Sequence, residues 1–310
     1  MLPPSASFAL IGFGEAGGIL GQDLAKQGCR VQAYDILLDA PATRAALLAK
    51  LAAAGVDPAP SLADVLQGAK LVISAVTATA AGDVARAAAP LLQAGQVFLD
   101  INSISPDAKR ANARLVEASG AAYVEAAVMA PVPPQRLKTP MLLGGPRAAE
   151  LAAALGALGM NTTAVTTDIG VASAIKMCRS VMIKGIESLT VECLRAARHY
   201  GAEDAVLASL AATFPSMGWT AQQPDYLVSR VAEHGRRRAA EMREVAATVA
   251  AAGIEPRMAR ATAESQDALV DAMAAAGLAY DKASAFSWRT LADQLAGTLA
   301  GSGGGKNSVA

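Results

Sequence analysis

The chain has 310 residues, enough for two domains of ordinary size or one large one. Hydrophobic residues make up 53% of it and charged residues 17%, a composition that excludes an intrinsically disordered protein. Lys plus Arg and Asp plus Glu both number 27, so no net charge attracts the chain to nucleic acid or to an anionic membrane.

The sequence predicts neither a membrane span nor a secretion signal. No stretch approaches the ~20 consecutive apolar residues of a spanning helix, and the N-terminal residues lack the basic segment of a signal peptide. Cys29, Cys178 and Cys193 have neither metal-ligand nor CxxC spacing, so we expect no metal site. On one helix, Cys178 and Cys193 would lie ~22 Å apart, too far for a disulfide. A reducing cytoplasm is the predicted location.

The first half alternates short apolar segments with alanine-rich helical ones. Continuous apolar strands such as LVISAV, over residues 71–76, are typical of a parallel sheet covered by helices on both faces. Strands are predicted over residues 8–12, 30–34, 71–76, 97–101, 123–128, 141–143 and 162–166. Helices are predicted over residues 16–27, 42–53, 80–92, 106–118 and 147–158. We therefore expect an α/β domain over residues 1–166, a Rossmann-type doubly wound parallel sheet.

The strand signal disappears after Thr167. Thr167 or Asp168 is predicted to cap a long helix that ends at Tyr200, where Gly201 stops it. Further helices are predicted over residues 202–213, 226–253, 257–276 and 283–300. We expect residues 167–300 to form an all-helical substrate and dimerisation domain. Residues 301–310, GSGGGKNSVA, have the composition of a flexible tail.

A glycine-rich loop, within the sequence ALIGFGEAG, joins the first strand to the first helix. Gly12 permits a tight turn, Gly14 lets a pyrophosphate approach the backbone, and Gly17 lets helix and strand pack closely. The helix N-terminus offers free N–H groups and a partial positive charge to the phosphates. This context predicts a dinucleotide site, the alternative being a purely structural turn. The predicted cofactor contacts of the loop are Gly12, Phe13, Gly14, Glu15, Ala16 and Gly17.

Asp35, at the end of the second predicted strand, bears on the choice of cofactor. A carboxylate there accepts hydrogen bonds from the adenosine ribose hydroxyls and repels a 2′-phosphate. The following residues, Ile36, Leu37 and Leu38, offer no partner for that phosphate. We predict NAD in preference to NADP. In the alternative interpretation Asp35 only caps the following helix, which leaves NADP open.

Three motifs resemble the β-hydroxyacid dehydrogenase superfamily, which includes the 6-phosphogluconate and 3-hydroxyisobutyrate dehydrogenases. They are GFGEAG over residues 12–17, DINSISP over residues 100–106 and GVASAIK over residues 170–176. The resemblance implies that Asn102 and Ser103 face nicotinamide and substrate and that Lys176 is the general acid/base. Val76, which ends a predicted strand, is assigned to the same cofactor site.

The second half is similar to a smaller group within this superfamily. That group joins a phosphogluconate dehydrogenase NAD-binding domain to a C-terminal domain of unknown function, and HGRRRAAEM over residues 234–242 resembles its signature. The chain departs from the wider superfamily where Ser-Gly-Gly usually holds the substrate carboxylate: Met129, Ala130 and Pro131 stand there. Ser180 replaces an asparagine, and a hydroxyl has fewer hydrogen-bonding groups than an amide.

Polar residues of the second half supply further candidates. Ser180, Lys184 and Glu187 follow Lys176 along one stripe of the long helix, which is either functional or a solvated face. We predict a catalytic role for Ser180 beside Lys176. The predicted substrate contacts are Asn102, Met129, Lys184, His234 and Arg237.

The arginines of the segment from residue 230 to residue 243 have two interpretations. They are either an anion site, to which guanidinium groups are suited, or a solvated helix face with ion pairs between residues four apart. We assign His199, at the end of the long helix, no chemistry. Trp219 either walls the cleft or packs in the core, and packing is favoured.

These observations together predict an NAD(P)-dependent oxidoreductase that transfers hydride between nicotinamide and a small hydroxy acid or related carbonyl compound. Hydride transfer with a lysine acid/base requires no metal. An imine reductase-like enzyme and a non-catalytic dinucleotide-binding or sensing protein are the alternatives. The predicted partners are a small anionic substrate and a second copy of the chain, with neither nucleic acid nor a membrane.

Overall fold

The computed structural model describes residues 7–302, with side chains described to residue 297. The strands are β1 (Ser7–Ile11), β2 (Arg30–Tyr34), β3 (Asp57–Pro58), β4 (Leu71–Ser74), β5 (Val97–Asp100), β6 (Ala122–Val128), β7 (Met141–Gly144) and β8 (Thr162–Thr166). The helices of the first half are α1 (Glu15–Lys26), α2 (Pro41–Ala54), α3 (Leu62–Leu66), α4 (Ala81–Ala88), α5 (Pro106–Glu117), α6 (Val132–Gln135) and α7 (Ala148–Ala157). The later helices are α8 (Val171–His199), α9 (Glu203–Thr213), α10 (Gln223–Ala251), α11 (Arg257–Ala275) and α12 (Trp288–Ser302). The tail predicted from residue 301 lies outside the described residues beyond Ser302.

The eight strands form one sheet in the order β3-β2-β1-β4-β5-β6-β7-β8. Helices connect the parallel strands, which confirms the predicted Rossmann-type fold. β7 departs from the fully parallel prediction because it pairs antiparallel with β6. The sequence also gave no signal for β3, whose two residues pair with β2 at the edge of the sheet.

Alternating residues of the strands fill two buried layers, one on each face of the sheet. Phe8 and Leu10 of β1 belong to one layer, whereas Ala9 and Ile11 belong to the other. Burial on both faces explains why the strands read as continuous apolar runs. The carboxyl ends of β1, β4 and β5 lie side by side, so the loops that follow them meet at one edge of the sheet.

The chain divides into two compact units, the first ending at Met177 and the second beginning at Cys178. The first unit, called the sheet unit below, includes the opening turns of α8. The second, called the helical unit, has its own core, in which Trp219 is buried with residues of α8, α10, α11 and α12. The domain boundary predicted after residue 166 stays a prediction. Within residues 7–302, no helix is both long enough and apolar enough to cross a membrane.

The long helix does not begin where the sequence predicted. α8 starts at Val171, so neither Thr167 nor Asp168 is its N-cap. The first N–H groups of the helix donate instead to the carboxylate of Glu125 on β6, at 2.6 Å from Gly170 and 3.1 Å from Ala172. A residue 45 positions away in sequence thus supplies the cap, which is why local cap signals failed here.

Candidate functional site

The glycine-rich loop has the geometry of a dinucleotide-binding turn. Gly12 has a φ of +92°, and a side chain there would lie 2.5 Å from the carbonyl oxygen of Ala75. A side chain at Gly17 would lie 2.2 Å from the carbonyl oxygen of Gly12, so only glycine lets α1 pack this closely on β1. Gly14, in contrast, faces open space. The loop therefore leaves its backbone open to a pyrophosphate beside the N-terminus of α1.

The other predicted loop residues have distinct positions. Glu15 is exposed and opens α1, Ala16 is half-buried, and the Phe13 ring is buried in the core. The backbone of Phe13 is anchored by Asp35, because the Phe13 N–H donates to Asp35 Oδ2 at 2.7 Å. The exposed part of the loop is therefore Gly14 and Glu15.

Asp35 caps the turn that follows it, and its contact with the ribose stays a prediction. While Oδ2 accepts from Phe13, Oδ1 accepts from the N–H of Leu37 at 3.0 Å and caps a 3₁₀ turn over Ile36–Leu38. Ile36 is exposed. A carboxylate has four lone-pair directions, so both oxygens retain capacity for ribose hydroxyls.

Lys50 of α2 also contacts the loop, a contact that no sequence motif indicated. Its ammonium donates to the carbonyl oxygens of Phe13, at 2.7 Å, and Gly14, at 2.9 Å. The loop is thereby anchored by a carboxylate at an N–H group and by an ammonium at two carbonyls.

A buried polar network lies at the end of β5. Asp100 and Lys109 are almost fully buried and form an ion pair, with Lys109 Nζ 2.8 Å from Asp100 Oδ1. Tyr123 Oη donates to Asp100 Oδ2 at 2.8 Å, and Asn112 Nδ2 donates to the same oxygen at 3.2 Å. Burial alone would raise the pKa of Asp100, but Lys109, Tyr123 and the backbone of Asn102 outweigh it and hold the pKa below its usual value.

This network fixes Asn102, one of the predicted cofactor and substrate residues. Asn102 Nδ2 donates to Ser74 Oγ at 2.9 Å and to Asp100 Oδ1 at 2.8 Å. Its Oδ1 accepts from the N–H of Val76 at 2.7 Å. The amide therefore ties the loop after β4 to the loop after β5, and its role as a direct ligand stays a prediction.

Ser103 and Lys176 meet within the sheet unit, although 73 positions separate them in sequence. Lys176 Nζ lies 2.5 Å from Ser103 Oγ, and both residues are half-buried. Lys176 lies about one turn beyond the start of α8, where the helix is fastened by Glu125. The Glu125 carboxylate is fully buried and also accepts hydrogen bonds from the N–H and hydroxyl of Ser173. We call these hydrogen bonds from Gly170, Ala172 and Ser173 the Glu125 clamp. Nothing close to Glu125 in the sequence indicates these partners, so the clamp was not predicted.

Met129 follows β6 in the segment that departs from Ser-Gly-Gly. It is half-buried, and its N–H donates to the carbonyl oxygen of Pro140 at 2.8 Å. Pro131 has no N–H to offer an anion. This segment therefore presents fewer backbone donors than a glycine pair would.

The remaining predicted residues lie in the helical unit. Ser180, Lys184 and Glu187 are all buried, so the interpretation of their stripe as a solvated face is wrong. Lys184 Nζ pairs with Glu241 Oε2 at 2.7 Å, and Arg238 pairs with both oxygens of Glu187. We call these four charged residues the helical-unit cluster.

Burial shifts the pKa values of two residues of this cluster. Burial raises the pKa of Glu187, although Arg238 opposes the shift. It lowers the pKa of Lys184, although Glu241 opposes that shift. Among the residues described, nothing accepts a hydrogen bond from Nε of Arg238. The cluster is therefore less completely satisfied than the network around Asp100.

The arginine-rich segment divides between surface and interior. Arg236 and Arg237 are exposed; Arg237 lies 3.4 Å from Glu241 four residues on, whereas Arg236 pairs with Asp267 and Asp271 of α11, so both interpretations of these two arginines stay open. Arg238 is instead buried. His234 Nε2 lies 3.3 Å from Glu233, while burial and the charge of Arg230 lower the pKa of the imidazole. The His199 ring packs edge-to-face against the ring of the exposed Tyr200.

Two family models match the chain. The NAD-binding domain of 6-phosphogluconate dehydrogenase matches residues 7–167, and a domain of unknown function (DUF1932) matches residues 197–269. The resemblance inferred from the three motifs and from the second half is thus confirmed. The cofactor is NAD(P), as predicted.

Solved structures agree with this assignment. A conserved hypothetical protein from Sinorhizobium meliloti 1021 is 39% identical, with 96% of both chains covered and a TM-score of 0.76. The conserved protein MTH1747, whose structure is similar to 3-hydroxyacid dehydrogenases, is 31% identical over 86% of this chain and 97% of its own, with a TM-score of 0.69. The 3-hydroxyisobutyrate dehydrogenase of Mycobacterium tuberculosis, solved with L-serine, is 16% identical over 94% of this chain and 99% of its own and shares the fold with a TM-score of 0.71.

Proposed function

The chain belongs to the family of the NAD-binding domain of 6-phosphogluconate dehydrogenase, and we propose that it moves hydride between nicotinamide and a small anionic hydroxy acid. In general terms, the protein is an NAD(P)-dependent oxidoreductase. The proposal adds the substrate class and the proton partner, which is Lys176. The contact between Lys176 and Ser103 is the single observation that carries it.

The Gly12–Gly17 loop would hold the diphosphate of NAD(P), and the bound cofactor would supply the hydride acceptor for alcohol oxidation or the hydride donor for the reverse reaction. The protein has to manage the proton. In alcohol oxidation, neutral Lys176 takes the hydroxyl proton, and in the reverse direction its ammonium gives that proton to the carbonyl oxygen. Ser103 holds the Nζ atom by accepting its hydrogen bond, while the Glu125 clamp fixes the first turn of the helix that carries it.

We propose Ser180 as a catalytic assistant to Lys176. We propose Met129, Lys184, His234 and Arg237 as substrate-side residues, with Arg237 as the anion partner because its guanidinium is exposed. Asn102 then acts mainly by holding Val76 and Ser103 in place, which its internal hydrogen bonds support.

The test is turnover of a hydroxy-acid panel by the Lys176→Ala and Lys176→Arg variants. Lys176→Ala should lower kcat by ~10²–10⁴, the usual worth of general acid/base catalysis. Lys176→Arg should not restore it, because a guanidinium does not release its proton near neutral pH. Dinucleotide affinity should stay unchanged, since the phosphates bind at the Gly12–Gly17 loop.

Arg179→Ala is the matched control, because Arg179 is an exposed cation on the same helix. Near-normal kcat in Lys176→Ala would overturn the proton-transfer role and leave Lys184 as the next lysine to test. Cofactor binding without turnover of any hydroxy acid or imine would favour a sensing protein instead.

We also propose a two-fold dimer formed by the helical unit. Large apolar side chains of α8 are exposed in the single chain, Met182 to 64% and Leu189 to 56%. Such residues are normally covered when they recur along one helix. Light scattering at micromolar concentration should give the dimer mass, and a monomer mass would contradict this. The cytoplasmic location and the boundary after residue 166 likewise stay predictions.

A further inference from the structure

Lys50 reaches the cofactor loop across the surface of a neighbouring helix. It lies near the end of α2, 36 and 37 positions from the two residues whose carbonyls it contacts. Its path crosses Gly18 of α1, where an added Cβ would lie 3.4 Å from both Cε and Nζ of the lysine. The ammonium also lies 5.3 Å from the centroid of the Phe13 ring, within the range of a cation–π contact. Three separate contacts thus direct this charge to the loop.

The two carbonyls that Lys50 binds have a specific relation to the phosphate-facing donors. The carbonyl of Phe13 shares its peptide group with the N–H of Gly14, and the carbonyl of Gly14 shares its peptide group with the N–H of Glu15. A hydrogen bond to the oxygen of a peptide group polarises it and strengthens its N–H as a donor. Gly14 and Glu15 are the exposed residues of the loop, at the start of α1.

We propose that Lys50 is a positioning residue for the diphosphate of NAD(P). It binds two carbonyl oxygens of the loop, fixes the orientation of their peptide groups and strengthens the N–H donors of Gly14 and Glu15 toward an anion. Its positive charge acts in the same direction as the helix dipole of α1. The inference concerns cofactor binding alone, so it holds whichever substrate the enzyme uses.

The test compares ligands with and without the diphosphate. Binding of NADH is followed by its fluorescence, and ADP and adenosine are measured as competitors. Lys50→Met keeps most of the side-chain length and removes the charge and the donors. We expect the Kd values for NADH and ADP to rise about five- to tenfold, as for loss of charge-assisted hydrogen bonds, while the Kd for adenosine stays within twofold. Lys50→Gln should give the same pattern.

Lys26→Met is the matched control, because Lys26 is an exposed lysine in the last turn of α1. It should leave all three Kd values unchanged. A Kd for ADP within twofold of wild type in both Lys50 variants would overturn the proposal, as would an equal loss of adenosine affinity or an equal effect of Lys26→Met. Wild-type protein that bound neither NADH nor ADP would instead contradict the loop as the cofactor site.

Discussion

The sheet unit and the helical unit both bury charged side chains, but they satisfy them differently. In the sheet unit, Asp100 accepts hydrogen bonds from an ammonium, a phenol, two side-chain amides and a backbone N–H, and its pKa is lowered. In the helical unit, the pKa of Glu187 is raised and Arg238 Nε has no acceptor among the residues described. The comparison shows that burial of a charge does not by itself reveal its state: the number of partners decides whether attraction or desolvation prevails.

This difference has a functional meaning under the proposed mechanism. The network around Asp100 holds the two loops that carry Val76, Asn102 and Ser103, and a fixed ionic state suits a scaffold. In the helical-unit cluster, burial shifts the pKa of Glu187 upward and that of Lys184 downward, in each case toward the neutral form. Three measurements test this difference between the two units.

The largest effect should come from Lys109→Met. This change leaves Asp100 buried without its cation, and loss of one partner of a buried ion pair costs ~3–5 kcal/mol of unfolding free energy. Urea unfolding measures it, with Lys70→Met as the control for an exposed lysine of the same unit. A loss no larger than that of the control would show that the pair contributes nothing to stability.

Arg238→Met should destabilise the helical unit by a smaller amount, ~1–3 kcal/mol. Arg230 and Lys184 still act on Glu187, and its raised pKa eases protonation when the guanidinium is removed. Arg237→Met, at the adjacent exposed position, is the control for urea unfolding. A loss exceeding that of Lys109→Met would reverse the ranking of the two units.

The smallest expected effect is on the pH dependence of stability, to which Asp100 and Glu187 contribute in opposite directions. The lowered pKa of Asp100 contributes stability that is present above its unfolded value of ~3.9 and is lost as pH falls through the folded value. The raised pKa of Glu187 contributes stability that is complete below its unfolded value of ~4.3 and is lost as pH rises through the folded value.

As the pH falls, the unfolding free energy of the wild type should therefore decrease relative to that of Asp100→Asn. Over the same change of pH it should increase relative to that of Glu187→Gln. Chemical unfolding of the three proteins from about pH 3 to pH 7 begins below and ends above the unfolded values of both carboxyl groups. Parallel pH profiles for the two variants would contradict the difference between the units.

The sequence was most informative where the chemistry is local. The turn at the glycine loop and the apolar strands follow from residues close together in the chain, and both were predicted correctly in outline, whereas the preference for NAD inferred from Asp35 stays a prediction. The antiparallel β7 was not, because an apolar run carries no mark of strand direction. The start of α8 was missed because Glu125 caps it from β6, and Lys50 because its partners lie on another element.

Burial of the α8 stripe was the other property that local pattern could not fix. Lys184 and Glu187 look like surface residues until Arg238 and Glu241 of α10 supply their counter-charges. The same limit applies to Asp100, which the motif placed correctly but whose pairing with Lys109 depends on how α5 packs on the sheet. Ion pairs between side chains on different helices and strands cannot be read from the local sequence.

The hydrogen bond from Phe13 to Asp35 has a consequence for redesign of the cofactor preference. The carboxylate that would repel a 2′-phosphate is also the acceptor that anchors the glycine loop. Substituting Asp35→Ser to admit NADP would shorten the side chain and release the Phe13 N–H at the same time. The predicted selectivity and the anchoring of the loop thus involve the same residue, and a successful switch has to supply a new acceptor for that N–H together with a cation for the phosphate.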